Sequence, residues 1–390
     1  MLADQATLPE QPPQRPSTDP PPALAQLLGR ADVHFNGSRP WDIRVHSPRL
    51  YQRLYANWSL GAGEAYLDGD WDCDQLDELF TRLLRVDLDN QAPVRGRLQL
   101  LAEGLRHRLL NLQSRERAFQ VAERHYDAGN EVFEAMLDSR MIYSCAYWER
   151  ADNLEAAQFD KLELICRKLQ LRPGMQLLDI GCGWGGLARH AAEQHGVRVL
   201  GVTVSREQLA LARERCAGWP VELLLADYRT LSGRFDRVVS VGMFEHVGPK
   251  NHRAYFDTVS DLLAPDGLFL LHTIGIDRTA LATDPWIDRY IFPNGKVPSA
   301  RELSSALEGR FLIEDWHNFG PDYDRTLMSW WANFDAAWPR LAARYGPRFY
   351  RMWKYYLHSC AGLFRARQGQ LWQLVLSHRG RPGIYRSVRL

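Results

Sequence analysis

A run of glycines follows a short apolar segment near the middle of the chain. Residues 176–180 read as a strand, and Gly181, Gly183 and Gly185 come directly after them. Glycine is required where the backbone takes a positive φ or approaches a ligand closely. A helical pattern begins at Leu187. The segment therefore predicts a strand, a tight turn and a helix, an arrangement that suits a nucleotide-bearing ligand.

Strand and helix patterns alternate from about residue 120 onwards. The helix predicted for 205–216 begins with Ser205 as its N-cap and Gln208 three residues later, which is the spacing of a capping box. The alternation predicts an α/β fold with a doubly wound, mostly parallel sheet that binds its ligand at the carboxyl ends of the strands. The predicted strands are 176–180, 198–203, 221–225, 236–241, 268–273 and 371–377.

Composition limits the class of protein. A length of 390 residues predicts two domains. The six cysteines are scattered without a CxxC pair, which predicts neither disulfides nor a metal site and fits a reducing cytoplasm. The formal net charge of +1 argues against a nucleic-acid-binding protein. We find no signal-peptide pattern and no run of 18 apolar residues, so we expect a cytoplasmic protein without a membrane span.

The chain divides into four predicted parts. Residues 1–23 contain seven prolines and almost no large apolar residues, which predicts a disordered tail. Residues 24–92 alternate apolar and polar positions before a helical pattern, which predicts a small N-terminal α/β or α+β domain. Residues 93–120 predict a basic amphipathic linker helix, and residues 121–390 predict the main α/β domain.

Two segments are strongly basic. Residues 340–390 contain ten arginines, one lysine and no acidic residue, and residues 91–125 contain seven arginines against three glutamates. In the second segment arginines flank leucines at helical spacing, as in helices that lie at a lipid interface. An ordinary surface helix that packs on its own protein has the same pattern. Both interpretations stay open.

The residues that follow the second and third predicted strands indicate the type of ligand. A dinucleotide site has an acid at the end of the second strand to bind the ribose, but Thr203 and Ser205 stand there instead. Asp227 and Tyr228 follow the next strand and offer a hydrogen-bond acceptor and a stacking face for an adenine. The pattern therefore disfavours an NAD-dependent oxidoreductase.

Residues 178–186, 201–205 and 227–229 resemble the S-adenosylmethionine site of class I methyltransferases, which implies a Rossmann-like catalytic domain. Within that superfamily the chain resembles cyclopropane-fatty-acyl-phospholipid synthases, whose motifs occur in the same order. Residues 63–66 and 71–72 resemble the smaller domain of the bacterial members. The remaining motifs lie at 125–130, 143–148, 242–248, 271–275, 291–295, 315–320 and 360–367.

The resemblance implies an enzyme that transfers a methylene from S-adenosylmethionine across a cis double bond of an unsaturated phospholipid acyl chain. In this family the alkene attacks the sulfonium methyl group, and a bound bicarbonate then removes a proton so that the ring closes. A carboxylate can accept the bicarbonate O–H, and imidazole and phenol can donate to its oxygens. The groups implied to hold the bicarbonate are Glu245, His272, Tyr323 and the backbone around Cys145 and Ile274.

The resemblance also implies partners and a cofactor site. It implies peripheral association with the inner face of the cell membrane, where the small N-terminal domain would dock on lipid or form a homodimer. Cys360 resembles a cysteine near the active site of the family, and we assign no chemical step to it. The residues implied to bind the cofactor are Tyr143, Ser144, Asp179, Gly181, Gly183, Gly185, Thr203, Gln208, Asp227 and Tyr228.

Several candidate residues also have a structural explanation. Glu245 could cap the turn that follows it, and His272 ends an apolar run, where a histidine is usually a core residue. Tyr323 lies in a short acidic segment typical of a turn, and His246 is predicted to be structural. The tryptophans predicted to line an acyl tunnel are Trp286, Trp316 and Trp330.

Alternatives to a cyclopropane synthase stay open at this point. One is a related lipid C-methyltransferase that leaves a methyl branch without ring closure. Glu245 would discriminate between the two, because an enzyme that quenches the cation with water needs no group to hold bicarbonate. Another is a protein that binds lipid or an adenosyl ligand without catalysis, for which labelled cofactor would show no methyl transfer.

Overall fold

The computed structural model describes residues 18–86 and 129–389. The strands in these ranges are β1 Arg44–Val45, β2 Trp71–Asp72, β3 Gln176–Ile180, β4 Arg198–Thr203, β5 Val221–Leu225, β6 Phe235–Val241, β7 Leu263–Ile276, β8 Leu312–Asn318 and β9 Gly369–Ser377. The helices are α1 Pro22–Gly29, α2 Arg49–Leu67, α3 Leu76–Arg85, α4 Asn130–Met136, α5 Leu154–Lys168, α6 Gly186–His195, α7 Arg206–Arg215, α8 His252–Leu262, α9 Pro285–Tyr290, α10 Ala300–Leu307 and α11 Pro321–Arg365.

Seven strands form one sheet in the order β5-β4-β3-β6-β7-β9-β8. Strands β3 to β7 pair in parallel, whereas β9 pairs antiparallel with β7 and with β8. The chain runs from β3 outwards to β5 and then returns to β6 on the other side of β3. Ligands of doubly wound sheets bind outside the carboxyl ends of the strands at such a reversal. The predicted α/β fold is confirmed.

The buried parallel strands match the sequence prediction best. The segments 176–180, 198–203 and 221–225 are strands with the predicted bounds, and the other three predicted strands are each longer by one to eight residues. Helix α7 begins after Ser205, whose hydroxyl accepts a hydrogen bond from the Gln208 amide at 3.3 Å, as predicted. The edge strand β8 is missing from the prediction because its buried position is a charged residue, Asp315, while Leu312 and Ile313 are exposed, so no apolar alternation marks it.

The N-terminal residues pack against the C-terminal part of the chain. They form helices and a two-stranded antiparallel ribbon of β1 and β2. Leu28, Tyr66 and Leu79 belong to the same buried cluster as Leu357 and Phe364 of α11. The N-terminal helices therefore share their core with α11.

The described structure begins inside the predicted disordered tail. The carbonyl of Thr18 accepts a hydrogen bond from the Tyr51 hydroxyl at 2.6 Å, and α1 begins at Pro22. Proline suits the first turn of a helix because its missing N–H is not needed there. The predicted boundary at residue 23 therefore lies too far along the chain. Residues 1–17 and the linker helix predicted for 93–120 lie outside the described residues.

The basic C-terminal segment is extensively paired within the protein. Five of its ten arginines form ion pairs with acids from other parts of the chain, which the count of charges in 340–390 does not show. The segment therefore does not present a continuous cationic face. The pairs are Arg344–Glu131 at 2.7 Å, Arg348–Asp68 at 3.3 Å, Arg351–Asp72 at 2.8 Å, Arg365–Asp77 at 2.6 Å and Arg389–Asp315 at 2.8 Å.

Helix α11 is the longest element, with 45 residues. It bends at Gly346, whose φ of 72° is non-helical, and Pro347 follows directly. The N-terminal half carries Tyr323, and the half after the bend packs against the N-terminal helices. Neither α11 nor any other described helix has an apolar stretch sufficient to cross a bilayer.

Helix α2 packs tightly onto α9 at a glycine. A Cβ atom on Gly63 would lie 2.2 Å from Cδ1 of Trp286, which is fully buried. Nearby, Ser59 donates a hydrogen bond to Asp284, and the Tyr290 hydroxyl donates to Glu64 at 3.1 Å. The N-terminal helix α2 therefore holds the segment that contains α9.

Gly63→Ala should lower the free energy of unfolding by about 1–3 kcal/mol, because the added methyl group overpacks a rigid contact with an indole ring. Gly29→Ala is the matched control, since an added Cβ meets nothing within 4 Å, and it should change stability by less than about 0.5 kcal/mol. Chemical denaturation followed by tryptophan fluorescence measures both. Equal stability of the two variants would contradict the importance of this contact.

Candidate active site

A cavity of about 310 Å³ lies at the carboxyl ends of the central parallel strands. Its lining includes Ile180, Thr203 and Val241, which are the last residues of β3, β4 and β6. Part of its lining comes from residues 283–297, which contain α9. The cavity is therefore where the topology of the sheet predicts a ligand.

The glycine loop takes the backbone conformation that the sequence predicts. Gly181, Gly183 and Gly185 have φ values of 85°, 54° and 80°. Gly181 and Gly183 line the cavity, and a Cβ on Gly181 would lie only 2.9 Å from the Met243 side chain. Gly185 does not line it. It is the N-cap of α6, and a Cβ there would lie 2.7 Å from the Cys216 sulfur. Glycine is therefore needed at this position because a larger residue would not fit.

Apart from Gly185, every residue predicted to bind the cofactor lines this one cavity. Thr203 donates a hydrogen bond from its hydroxyl to the Gln208 side-chain carbonyl at 3.0 Å, where a dinucleotide site would have a carboxylate. The Asp227 carboxylate accepts from two nitrogens of the Arg229 guanidinium at 2.8 and 2.6 Å. These bonds fix Asp227 without exhausting the acceptor capacity of its two oxygens. Tyr228 packs edge-on against Tyr255.

Glu245 is held in the cavity wall by the backbone of the neighbouring strand. It lies in a short 3₁₀ turn just after β6, and its Oε1 accepts a hydrogen bond from the Ile274 amide of β7 at 2.7 Å. Its Oε2 is buried and has no hydrogen-bond partner among the described residues. Burial raises the pKa of Glu245 to about 7, although the Ile274 hydrogen bond acts in the opposite direction. Its side chain is therefore not the cap that one interpretation predicts.

His272 is fully buried and does not line the cavity. Its Nδ1 lies 3.2 Å from the amide nitrogen of Gln373, and its Nε2 has no partner within the described ranges. Burial, together with the charges of Lys161 and Lys168, holds its pKa well below the ordinary value. The imidazole is therefore neutral, and with Gln373 donating to Nδ1 it carries its proton on Nε2.

The other residues assigned to the bicarbonate site differ in their access to the cavity. Tyr323 and Ile274 line it, and Tyr323 lies in the first turn of α11 rather than in an acidic loop. Cys145 is fully buried, with its sulfur 4.0 Å from the Thr326 hydroxyl, and does not line the cavity. Cys360 does not line it either, and burial raises its pKa to about 12. Cys360 is therefore a neutral thiol at ordinary pH.

The tryptophans predicted for an acyl tunnel do not line the cavity. Trp286 and Trp330 are buried in the cluster that α11 shares with the N-terminal helices, and Trp316 packs edge-on against Trp372 at 5.2 Å. Bulk and low polarity favour such core positions as strongly as a lipid tunnel. The apolar wall consists instead of Val247, Ile287, Phe292, Val297 and Tyr356, with Trp184 near the glycine loop.

The sequence analysis also leaves some lining residues without a functional role, among them Lys161 and His246. Burial lowers the pKa of His246 to about 4, so it is neutral. Lys161 stands at helical spacing from the buried Ala157 and Leu164 of α5. A lysine inside the apolar stripe of a helix is the signal that could have identified it.

Away from the cavity, the fold brings together Cys166 of α5 with His190 and His195 of α6, whose possible ligand atoms lie within 4.8 Å of one another. The scattered cysteines of the sequence do not predict this grouping. Glu163 lies 3.0 Å from Nε2 of His195 and 3.6 Å from Nε2 of His190. Glu163 therefore lies within ion-pair distance of both histidines.

The raised pKa of Glu245 predicts a pH-dependent stability. Between pH 5 and 7 the folded protein retains a proton that the unfolded chain has released, so the stability from this group is present at low pH and is lost as the pH rises through about 7. Relative to wild type, Glu245→Gln should therefore gain up to about 3 kcal/mol of unfolding free energy between pH 5 and 8. Urea denaturation over this range measures the difference. Parallel profiles would contradict the raised pKa, and Glu222→Gln on β5 is an exposed control.

Comparison with known proteins identifies relatives of this chain. The family described as mycolic acid cyclopropane synthetase matches residues 113–374. Cyclopropane-fatty-acyl-phospholipid synthase of Escherichia coli (strain K12) is 55% identical over 359 residues, which cover 92% of this chain and 94% of that protein.

Solved structures agree with this result. The cyclopropane synthase MmaA2 from Mycobacterium tuberculosis has a TM-score of 0.63 and 33% identity, covering 68% of this chain and 99% of its own. Mycolic acid cyclopropane synthase CmaA1, in complex with SAH and CTAB, has a TM-score of 0.62 and 33% identity, covering 66% of this chain and 97% of its own. The resemblance seen in the sequence motifs is confirmed, and the chain belongs to the mycolic acid cyclopropane synthetase family of S-adenosylmethionine-dependent methyltransferases.

Proposed function

We propose that the protein adds a methylene group from S-adenosylmethionine across a cis double bond of an unsaturated phospholipid acyl chain. The observation that carries this proposal is the Glu245 carboxylate, which has one oxygen fixed by Ile274 and the other buried without a partner in the described structure. Ring closure requires that a proton leaves the transferred carbon, and this carboxylate can hold the group that accepts it. The Escherichia coli relative is named for this activity.

The strand-end side of the cavity suits the cofactor. S-adenosylmethionine supplies an electrophilic methyl group when bound there. Gly181 and Gly183 permit close approach of a ligand to the backbone, and Asp227 and Tyr228 offer acceptors and a ring face to an adenosine. Thr203 stands where an NAD site would place its ribose carboxylate, which supports the adenosyl donor over a dinucleotide.

The apolar side of the cavity suits an acyl chain. Ile287 and Val297 provide aliphatic surface, and the rings of Phe292 and Tyr356 lie 5.9 Å apart. This wall excludes water, which would otherwise compete with the weakly nucleophilic alkene and capture the positive charge. Aromatic faces also stabilise a nearby cation. The two sides of the cavity thus match the two reactants.

We propose bicarbonate as the general base. The fit rests on two buried atoms that lack a partner among the described residues, Oε2 of Glu245, which lines the cavity, and Nε2 of His272, which does not. Glu245 would accept the bicarbonate O–H, and His272 would donate from Nε2 to an anionic oxygen. Tyr323 would donate from its hydroxyl at the cavity wall. The Ile274 amide is already bound to Glu245, so its role would be to orient this carboxylate.

A lipid C-methyltransferase that leaves a methyl branch is the second candidate. The probable fatty acid methyltransferase of Pseudomonas putida is 36% identical over 347 residues, which cover 83% of each chain. The unpartnered Glu245 oxygen favours ring closure, because quenching of the cation by water needs no buried acceptor. Family membership disfavours both an NAD-dependent oxidoreductase and a protein without catalysis.

Glu245→Gln should lower ring formation by at least about 100-fold, because the glutamine oxygen would accept from the Ile274 amide and leave an NH₂ donor where the bicarbonate O–H needs an acceptor. Its affinity for S-adenosylmethionine should change by less than about threefold, because Glu245 is not among the residues proposed to bind the cofactor. Mass spectrometry and NMR of membrane lipids measure the gain of one CH₂ per chain and the loss of olefinic signals. Glu222→Gln is the control. Unchanged turnover would overturn the proposal, and a branched wild-type product would support the C-methyltransferase.

We further propose that the protein acts at the inner face of the cell membrane. Because the arginines of 340–390 are extensively paired, the basic segment 91–125 is the better candidate for attraction to anionic lipid headgroups. Docking on lipid through the small N-terminal domain and homodimerisation both stay predictions.

Binding to vesicles that contain anionic phospholipid should weaken as salt is added, because screening shortens the range of the attraction. Replacing Arg106 and Arg108 together by glutamine should weaken binding. The same change at Arg344 and Arg348, which pair with Glu131 and Asp68, should have little effect. Co-sedimentation at low and high salt measures this. Vesicle binding that does not change with salt concentration would contradict electrostatic docking.

A further inference from the structure

One buried charge in the cavity has no part in the proposed chemistry. Lys161 of α5 is only 1% exposed and lines the cavity. A buried ammonium group is costly unless a partner compensates for the lost hydration. The other lysine and arginine in the lining, Lys296 and Arg229, form ion pairs with carboxylates at 2.8 and 2.6 Å. Within the described ranges Lys161 has no carboxylate within 4 Å.

The partner of Lys161 is a hydroxyl group. Its Nζ lies 2.8 Å from Oγ of Ser144, which also lines the cavity. An ammonium group can only donate, so the Ser144 oxygen accepts and its own proton points elsewhere. Lys161 therefore turns Ser144 into a donor that can serve an anionic group of a ligand.

A carboxylate in the same cavity is available as an acceptor. Asp179, at the end of β3, is 2% exposed, and its Oδ2 is buried without a partner in the described part of the chain. Burial raises the pKa of Asp179 to about 7, and the charge of Lys161 acts to lower it. Lys161 therefore also favours the ionised form of Asp179.

We propose that Lys161 is a positioning residue for the amino-acid end of S-adenosylmethionine. It orients the Ser144 hydroxyl towards the cofactor carboxylate, and Asp179, whose Oδ2 has no partner in the described structure, accepts from the cofactor ammonium group in the same cavity. An α-amino acid carries both charges, so a donor and an acceptor within one cavity complement it. The inference rests on the proposed cofactor site and adds to it a residue that acts through Ser144 and Asp179.

A purely structural role for Lys161 is less consistent with its surroundings. The Ser144 segment is anchored independently, because Gln158 donates to the Ser144 carbonyl at 2.9 Å and Asp138 accepts from the Ile142 amide at 2.8 Å. Lys161 bonds a side-chain hydroxyl instead of the backbone. Its loss should therefore affect the orientation of the hydroxyl more than the path of the chain.

Lys161→Met tests the proposal, with Lys168→Met as a matched control. Lys168 lies on the same helix and is equally buried, but it contacts Asp315 and His317 and does not line the cavity. Calorimetric titration measures the affinity for two ligands, S-adenosylhomocysteine and 5′-methylthioadenosine, of which the second lacks the amino-acid end. We expect Lys161→Met to weaken the binding of S-adenosylhomocysteine at least about tenfold and that of 5′-methylthioadenosine by less than about twofold. Lys168→Met should change neither ligand beyond about twofold.

Ser144→Ala is a second test in case Lys161→Met does not fold, because it removes the same hydroxyl donor with a small change in side-chain volume. It should also weaken the binding of S-adenosylhomocysteine but not that of 5′-methylthioadenosine, and its effect should not add to that of Lys161→Met. Unchanged binding of S-adenosylhomocysteine by Lys161→Met, or an equal loss for both ligands, would overturn the inference. Failure of the wild-type protein to bind either ligand would instead contradict the proposed cofactor site.

Discussion

The hydrogen bond from the Ile274 amide to the Glu245 carboxylate joins the ends of β6 and β7 at the cavity. It fixes one oxygen of a buried carboxylate and leaves the other available, which is an unusual state for a group that water would otherwise solvate. The apolar wall that supports the acyl-chain proposal also removes this water. Desolvation raises the pKa of Glu245 to about 7, and in the proposed reaction it would also keep water away from the cationic intermediate.

The sheet could be predicted where burial leaves a mark on the sequence. Strands β3, β4 and β5 are mostly short apolar runs between turn residues, and their bounds were predictable to the residue. In strand β8 the buried position is Asp315, which pairs with Lys168 and Arg389, whereas Leu312 and Ile313 are exposed, so apolar residue type does not mark the buried face. The ion pairs of the C-terminal arginines were not predictable either, because their acidic partners come from remote segments.

Most of the site followed from motifs, because chemistry restricts which residue types can follow a given strand. The glycine loop and Asp227 were indicated in this way, whereas Glu245 was indicated by the family resemblance, and Gly181, Gly183, Asp227 and Glu245 line one cavity. Lys161 was not identified, since its meaning depends on Ser144, which approaches it only in the folded chain. The tryptophans show the opposite error, because bulk alone does not separate a core residue from a tunnel residue.

The cluster shared by the N-terminal helices and α11 affects how the protein can be made. Leu79 and Leu357 lie in one core although roughly 280 residues separate them in the chain. At ordinary translation rates the packing residues of α11 emerge from the ribosome on the order of 15 to 55 s after α3. During that interval the part of the apolar face of α3 that packs against α11 lacks its native partner. We therefore expect the N-terminal helices to complete their core only when translation is nearly finished.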